Sequence, residues 1–294
     1  MNGGPLVKPS NEVRLSIVAL KEYLQSPSFL VAWLSPYGVF LLLCLLYTYS
    51  FLSVPSVCVI LSILFGVFGA GLFGIRKRGP LLLPLSAGVL VSVITGTLFG
   101  LYTYDKCAVF PKFYANSRLY TNVVPSQPAG AVADAGKIVF TSESYVDTSR
   151  SAGYLTESGY TYCAAPIRDS NPLVSVEFWA VGLGCCNDRG KFWCDSAEDG
   201  AAHAGITVFD NNGFFENSNF DEYQLAKEKA EANFRLLSSR EPMFVRWVTE
   251  DNLSMLSNSY QVQASLYLFM FCMIQLAGGL GLAMILYKKP QSIF

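Results

Sequence analysis

The sequence predicts a membrane-embedded, all-α four-helix bundle that carries an inserted α+β, disulfide-bonded extracytosolic domain. Three observations lead to that class. The 294-residue chain is 52% hydrophobic and 15% charged, whereas a soluble domain carries about a quarter charged residues. The charges are missing in blocks: no Asp, Glu, Lys or Arg occurs from Tyr23 to Ile75, from Gly79 to Tyr104, or from Asn252 to Tyr287. Five of the eight cysteines lie together in the long charged segment that separates the last two blocks.

A helix needs ~20 mostly apolar residues to cross a bilayer. The first block is too long for one such helix. Pro55, between Ser53 and Ser56, divides Tyr37–Phe51 from Val57–Ile75, and proline lacks the donor that an unbroken helix requires. Two antiparallel helices joined by a very short turn are expected; the competing arrangement is one kinked helix followed by an interfacial segment. The second block holds a span at about Leu81–Tyr104 and the third a span at about Val262–Tyr287. The expected layout is residues 1–36 as a cytosolic segment, 37–104 as three transmembrane helices, 105–260 as the extracytosolic domain, and 261–294 as the fourth helix with a cytosolic tail.

Orientation follows from the basic residues, because short basic loops stay in the cytosol. Lys8, Arg14 and Lys21 precede the first helix, Arg76, Lys77 and Arg78 separate the second and third, and Lys288 and Lys289 follow the fourth. With four spans all three clusters fall on one side. The cytosolic parts hold 8 basic and 2 acidic residues, against 13 basic and 20 acidic in Asp105–Tyr260. Both termini are expected in the cytosol, in the plasma membrane or an endomembrane. Nothing favours nucleic acid as a partner. The N-terminus is polar and shows no cleavable signal peptide. Val13, Ile17, Leu20 and Leu24 recur at helical intervals, which suits an amphipathic helix lying on the membrane surface or packed on the bundle.

The spans contain no acid, base or histidine. That weighs against a proton-coupled transporter, which needs such groups within the membrane, and leaves open a pore of backbone carbonyls or of several chains. Gln275, the most polar residue of a span, is expected to make an interhelical hydrogen bond. Small residues recur every four positions at Gly88, Ser92, Gly96 and Gly100, at Gly66, Ala70 and Gly74, and at Ala277 and Gly281. Such ridges let helix backbones approach closely, within the bundle or in a homodimer.

The segment 105–260 is long enough for its own core. It reads as loop-like through Gly130. Strand-like runs then occur at Lys137–Thr141, Tyr160–Ala165, Leu173–Val181 and Gly205–Phe209, and Asn212-Gly213 signals a hairpin. Ser218 and Asp221 are spaced as a capping box for a helix with Tyr223, Ala226, Ala230, Phe234 and Leu237 on one face. Pro242 is expected to stop that helix, and a second short helix to lead into the membrane.

Cys44, Cys58 and Cys272 fall within spans and read as packing residues. Cys107, Cys163, Cys185, Cys186 and Cys194 are the disulfide candidates, since oxidised bridges belong on the outer side of a membrane. Five is odd, so one thiol stays free or pairs with another chain. The expected bridges are Cys163–Cys185 or Cys163–Cys186, with the other vicinal cysteine joined to Cys194. His203, the single histidine, invites a zinc site with Cys185, Cys186 and Cys194, but the spacing does not match structural zinc patterns. No nucleophile elbow accompanies it, and Asp210–Glu216 lacks the ligand alternation of a calcium loop. No metal and no cofactor is expected. Asn252-Leu253-Ser254 is a glycosylation sequon.

Two resemblances attach to these residues. Three helices, a large outer loop with adjacent cysteines and a fourth helix resemble the layout of tetraspanins, although Cys185-Cys186 is followed here by Asn187 where that family has glycine. Tyr162-Cys163-Ala164-Ala165-Pro166-Ile167, Phe178-Trp179-Ala180-Val181-Gly182 leading into Cys185-Cys186, and Phe192-Trp193-Cys194 resemble membrane proteins of dinoflagellate algae and other alveolates. Asp134–Phe140 fits that pattern too. The resemblance implies no particular activity, and the aromatic residues equally suit packing around the bridges of a small core. The expected function is therefore a multi-pass scaffold or interaction protein that presents the outer domain to a protein partner or to a second copy. The alternatives are an accessory or pore-forming subunit of a transporter or channel and, third, a membrane thiol-redox protein. An enzyme is not expected.

Overall fold

The structure is a computed structural model that describes residues 24–79, 81–172, 174–209, 213, 215 and 219–287. Most of the N-terminal amphipathic pattern, the outer basic clusters, the Asn212 hairpin and the Ser218 cap lie outside the described residues. The chain divides into two compact units: Met1–Tyr104 with Ala264–Phe294, and Asp105–Gln263.

The first unit is built on helices α1 (Pro27–Ser50), α2 (Pro55–Gly74), α3 (Leu82–Thr103) and the later part of α6 (Glu250–Leu286). Among the described residues, four helices are long and apolar enough to cross a membrane. The expected break at Pro55 is present: Ser53 and Val54 donate to the Ser50 carbonyl, and Pro55 opens α2 at a position where its missing N–H is harmless. Helix α1 starts ten residues earlier than expected, at Pro27, and carries Pro36 inside it. A proline is tolerated inside such a helix where a neighbouring helix covers the freed backbone. Here Gly88 of α3 supplies that neighbour, with a Cβ built on it lying 2.7 Å from Pro36 Cγ.

Along α3 the other small residues lie against α1 as well. A Cβ on Gly96 would be 3.0 Å from the Phe40 carbonyl oxygen, and one on Gly100 would be 2.6 Å from Tyr47 Cβ. Ser92 is buried and accepts from Gln275 Nε2 of α6, while Thr95 donates to Gln275 Oε1. The ridge on α2 is different. Gly66 and Gly74 meet nothing within 4 Å, and Ala70 is exposed. The contact face of α2 runs instead through Cys58, Ser62 and Gly69, where Gly69 abuts Val89 and Leu90. Ser62 joins three helices, bonding Tyr47 at 3.0 Å and Thr97 at 3.4 Å. A four-residue repeat names a helix face but not what that face meets. Ala277 is likewise exposed, and Gly281 meets nothing within 4 Å. Helix α6 contacts its neighbours through large side chains instead. Phe271 stacks on Phe99 at 4.2 Å, and Trp33 Nε1 donates to the Leu276 carbonyl.

The second unit is a mixed eight-stranded sheet flanked by helices α4 (Val109–Asn116) and α5 (Phe220–Phe234) and by the first turns of α6. Its strands are β1 (Arg118–Val123), β2 (Ala135–Phe140), β3 (Tyr145–Val146), β4 (Ala152–Leu155), β5 (Thr161–Arg168), β6 (Val176–Leu183), β7 (Ala204–Thr207) and β8 (Ser238–Val248). Their order is β1-β2-β7-β8-β6-β5-β3, with β4 also on β5. The pairs β1–β2 and β6–β8 are parallel and the rest antiparallel. One face packs Tyr162, Ala164, Trp179, Val181 and Phe244 against Tyr223, Ala226 and Ala230 of α5. The same face continues as Ala204, Ile206 and Val248 under Tyr114 and Leu253. The opposite face gathers Ile138, Phe140, Phe178, Ala180, Val245 and Trp247 with the bridged cysteines.

Three expectations are corrected here. The stretch through Gly130 is not simply loop, because it contains α4 and β1; Pro111 lies in α4, just after the π-helical residues Tyr104–Ala108. Helix α5 ends at Phe234, with Arg235 in the left-handed conformation, so Leu237 is not on its buried face and is 72% exposed. Pro242 does not stop that helix, which has already ended at Phe234. It sits in β8, in the irregular stretch between the pairs Val176–Ser238 and Phe178–Met243, where no ladder bond needs its nitrogen. The last strand in sequence thus lies centrally in the sheet.

Candidate functional site

The cysteine cluster is organised by three residues side by side on adjacent strands: Gly153 of β4, Cys163 of β5 and Gly182 of β6. Paired residues point to the same face of a sheet, so glycine on either side leaves open space beside the cysteine. The bridges Cys163–Cys186 and Cys185–Cys194 fill it. A Cβ on Gly153 would lie 3.0 Å from Cys186 Sγ, and one on Gly182 would lie 2.5 Å from Cys194 Sγ and 2.8 Å from Cys185 Sγ. Of the two expected pairings the structure contains the one through Cys186. Cys107 was grouped with these candidates, but it is a buried free thiol that donates to Gln263 Oε1 at 3.8 Å.

The sulfurs of Cys163, Cys185 and Cys194 lie within 4.8 Å of one another. Oxidised in bridges, they offer no thiolate to a metal. His203 is occupied elsewhere, with Nδ1 3.0 Å from the Ser144 carbonyl oxygen and its ring edge-on to Trp247.

The bridged loop is also tied to its surroundings by polar contacts. Gly153 donates to the Asp188 carbonyl, Gly190 donates to the Ser151 carbonyl, and Trp193 donates to that of Cys185. Lys229 of α5 reaches the Gly153 carbonyl and pairs with Asp188, while Arg189 lies over the Phe234 ring and bonds the Asn233 carbonyl. Beneath it, Tyr162 donates to Asn219, and burial, followed by Glu222 and Tyr160, raises its hydroxyl pKa. Burial pushes Tyr223 up to about 12. These phenols therefore act as fixed, neutral packing and hydrogen-bonding groups at physiological pH.

This stapled end of the sheet exposes large apolar side chains. Leu155 is 65% exposed, Tyr160 58%, Leu183 49% and Trp193 44%. Leu155 and Tyr160 flank the β4–β5 turn, which Thr156 closes by donating to the Tyr160 carbonyl. Leu183 is opposite Tyr162 and precedes Gly184, whose left-handed backbone (φ +68°) turns the chain into the cysteine loop. Of the aromatic residues expected around the bridges, Phe178 and Phe192 are buried there, whereas Trp193 is exposed. Trp179 is buried on the other face, with α5. Leu155, Tyr160 and Leu183 carried no sequence signal, because alternation cannot show which strand ends stay uncovered.

Comparison with protein-family models, curated proteins and solved structures yields no match.

Proposed function

We propose that this chain is a multi-pass membrane scaffold whose disulfide-stapled sheet end binds a protein partner. The observation that carries the reading is that Leu155, Tyr160, Leu183 and Trp193 are all exposed around one end of the sheet, on both of its faces, beside two bridges that tie the backbone there. Exposed apolar groups gathered on a rigid frame mark interaction sites, and a preorganised surface loses less freedom on binding.

The membrane part of the reading rests on the four apolar helices and on what they leave uncovered. Val59, Ile60, Ile63, Leu64, Val67 and Phe68 of α2 are all at least 45% exposed, as suits a helix facing lipid. The cytosolic placement of both termini rests on the positive-inside rule applied to Arg76, Lys77 and Arg78 and the flanking basic residues.

The test is photo-crosslinking in intact membranes, with a photoreactive residue placed singly at Tyr160, Trp193 and, as a control, the exposed Glu228 of α5. A protein adduct at the first two sites and none at the third is the expected result. Equal adducts at all three sites, or none at any, would refute a binding surface at this end of the sheet.

A further inference from the structure

Between α1, α3 and α6 there is a cavity of about 340 Å³, lined among others by Trp33, Pro36, Tyr37, Pro84 and Gly278 and containing Ser92, Thr95 and Gln275. We propose that this cavity binds a neutral, ring-bearing isoprenoid lipid, a sterol or a quinone, whose ring oxygen accepts a hydrogen bond from Gln275. The inference rests on the membrane reading above and adds a ligand to it.

Four observations determine the class of ligand. No lining residue is Asp, Glu, Lys, Arg or His, so a charged solute would enter without a counterion, at a prohibitive desolvation cost. The volume equals that of about ten waters, yet the polar side chains in the lining are few: Ser92, Thr95 and Gln275 are bonded to one another, Trp33 Nε1 donates to the Leu276 carbonyl, and the Tyr37 hydroxyl is the other. A water needs two to four polar partners, so water does not fill the space; an empty cavity of this size would forfeit its packing contacts. The walls are flat and stiff: two proline rings, the Trp33 indole and the Tyr37 ring, with Gly279 beside the indole, where a Cβ would lie 3.6 Å from Trp33 Cδ1. They suit a ring system better than a flexible chain. Val91 and Ile274, which line the cavity, are 41% and 54% exposed and form an edge accessible from lipid.

The polar spot chooses the functional group. Gln275 is 8% exposed and uses one Nε2 hydrogen on Ser92 and one Oε1 lone pair for Thr95. Its second N–H has no partner among the described residues. A buried amide hydrogen of this kind is costly to leave unmade, and a hydroxyl or a carbonyl oxygen satisfies it equally. The position is near the middle of the apolar stretch Asn258–Leu286, beyond the reach of a phospholipid headgroup held at the interface.

The experiment uses the full-length protein in liposomes, with clickable photoreactive analogues of a sterol, a ubiquinone-type quinone and a fatty acid in separate samples. The labelled peptides are mapped by mass spectrometry. Sterol or quinone labelling confined to residues of the cavity is expected, and the arm that labels names the lipid. Gln275→Met should lower that labelling about tenfold, the factor for one lost buried hydrogen bond. Gly278→Phe, where a side chain meets no neighbouring atom within 4 Å of Cβ, should fill the space and abolish labelling with the melting temperature unchanged. Labelling spread equally over the outer face of α2, labelling indifferent to Gly278→Phe, no cavity labelling with any probe, or cavity labelling by the fatty acid alone would overturn the proposal. Release of the protein from liposomes by alkaline carbonate would overturn the membrane reading itself, an outcome distinct from uniform labelling of retained protein.

Discussion

Gly182 shows how one missing methyl group shapes a region of this protein. Beside Cys163 on the next strand, the Cys185–Cys194 bridge occupies the space that its side chain would take. Gly182→Ala should therefore cost about 1–3 kcal/mol, as overpacking of a close contact does, and lower the melting temperature; Gly130→Ala, with nothing within 4 Å, should be near neutral. Two carboxylates act at the same scale on the crossover between β1 and β2. Asp169 accepts from the Asn171 backbone and Ser126, and Glu177 accepts from the Ala129 backbone and Ser175. Burial alone would raise both groups, but these donors outweigh it and hold them below the ordinary values of 3.8 and 4.5. A depressed folded pKa gives stability that is present above the ordinary value and is lost as pH falls through the folded one. Acid melting curves should thus show a loss that begins within the ordinary carboxylate range and continues below it. The double variant Asp169→Asn with Glu177→Gln should flatten that dependence; an unchanged acid profile would show that these bonds do not hold the crossover.

Helices α2 and α3 carry similar small-residue repeats with different outcomes. On α3 the repeat is covered by α1, and on α2 it is open. Gly96→Leu should accordingly destabilise the bundle, with a cost of about 1–3 kcal/mol, whereas Gly66→Leu should leave the melting temperature in detergent unchanged. Equal effects would mean that the α1–α3 contact is not the close one. The α2 face that does make contact is polar at its centre, where Ser62 links Tyr47 and Thr97. In lipid such bonds add to packing, since no hydrophobic effect drives apolar helices together. The sheet has its own counterpart in β8, an 11-residue strand whose irregular start accommodates Pro242 before Met243–Val245 pair with β6 and Val245–Val248 with β7.

For the whole molecule, the proposed topology and the bridges can be tested in intact cells. Under the positive-inside reading, an impermeant thiol reagent should reach an engineered cysteine at Ser126 and not one at Lys77; the reverse pattern would invert the protein. Removing a native bridge costs about 2–5 kcal/mol in small extracellular domains. Cys194→Ser should therefore lower stability and surface expression, while Cys272→Ser, a free cysteine on α6, should be close to neutral. A reductant should destabilise the protein and a chelator should not. The opposite result would replace the bridges by a metal.

Much of this architecture was legible in the linear order of residues. Blocks without charge reveal four apolar helices because a bilayer-length run is a purely local property, and Pro55 marks its turn because a lost backbone donor is local too. The β-type runs around Cys163 and Phe178 and the limited choice of bridges were legible for the same reason. The tertiary structure alone decided between Cys185 and Cys186 as the partner of Cys163, because that depends on which vicinal side chain turns towards β5. It also decided that β8 enters the middle of the sheet, because strand order depends on contacts distant in sequence. Finally, it decided that Gly88, Gly96 and Gly100 are covered while Gly66 and Gly74 are not, and that Leu155, Tyr160, Leu183 and Trp193 stay exposed. Periodicity identifies a face of an element; what covers that face depends on the rest of the fold.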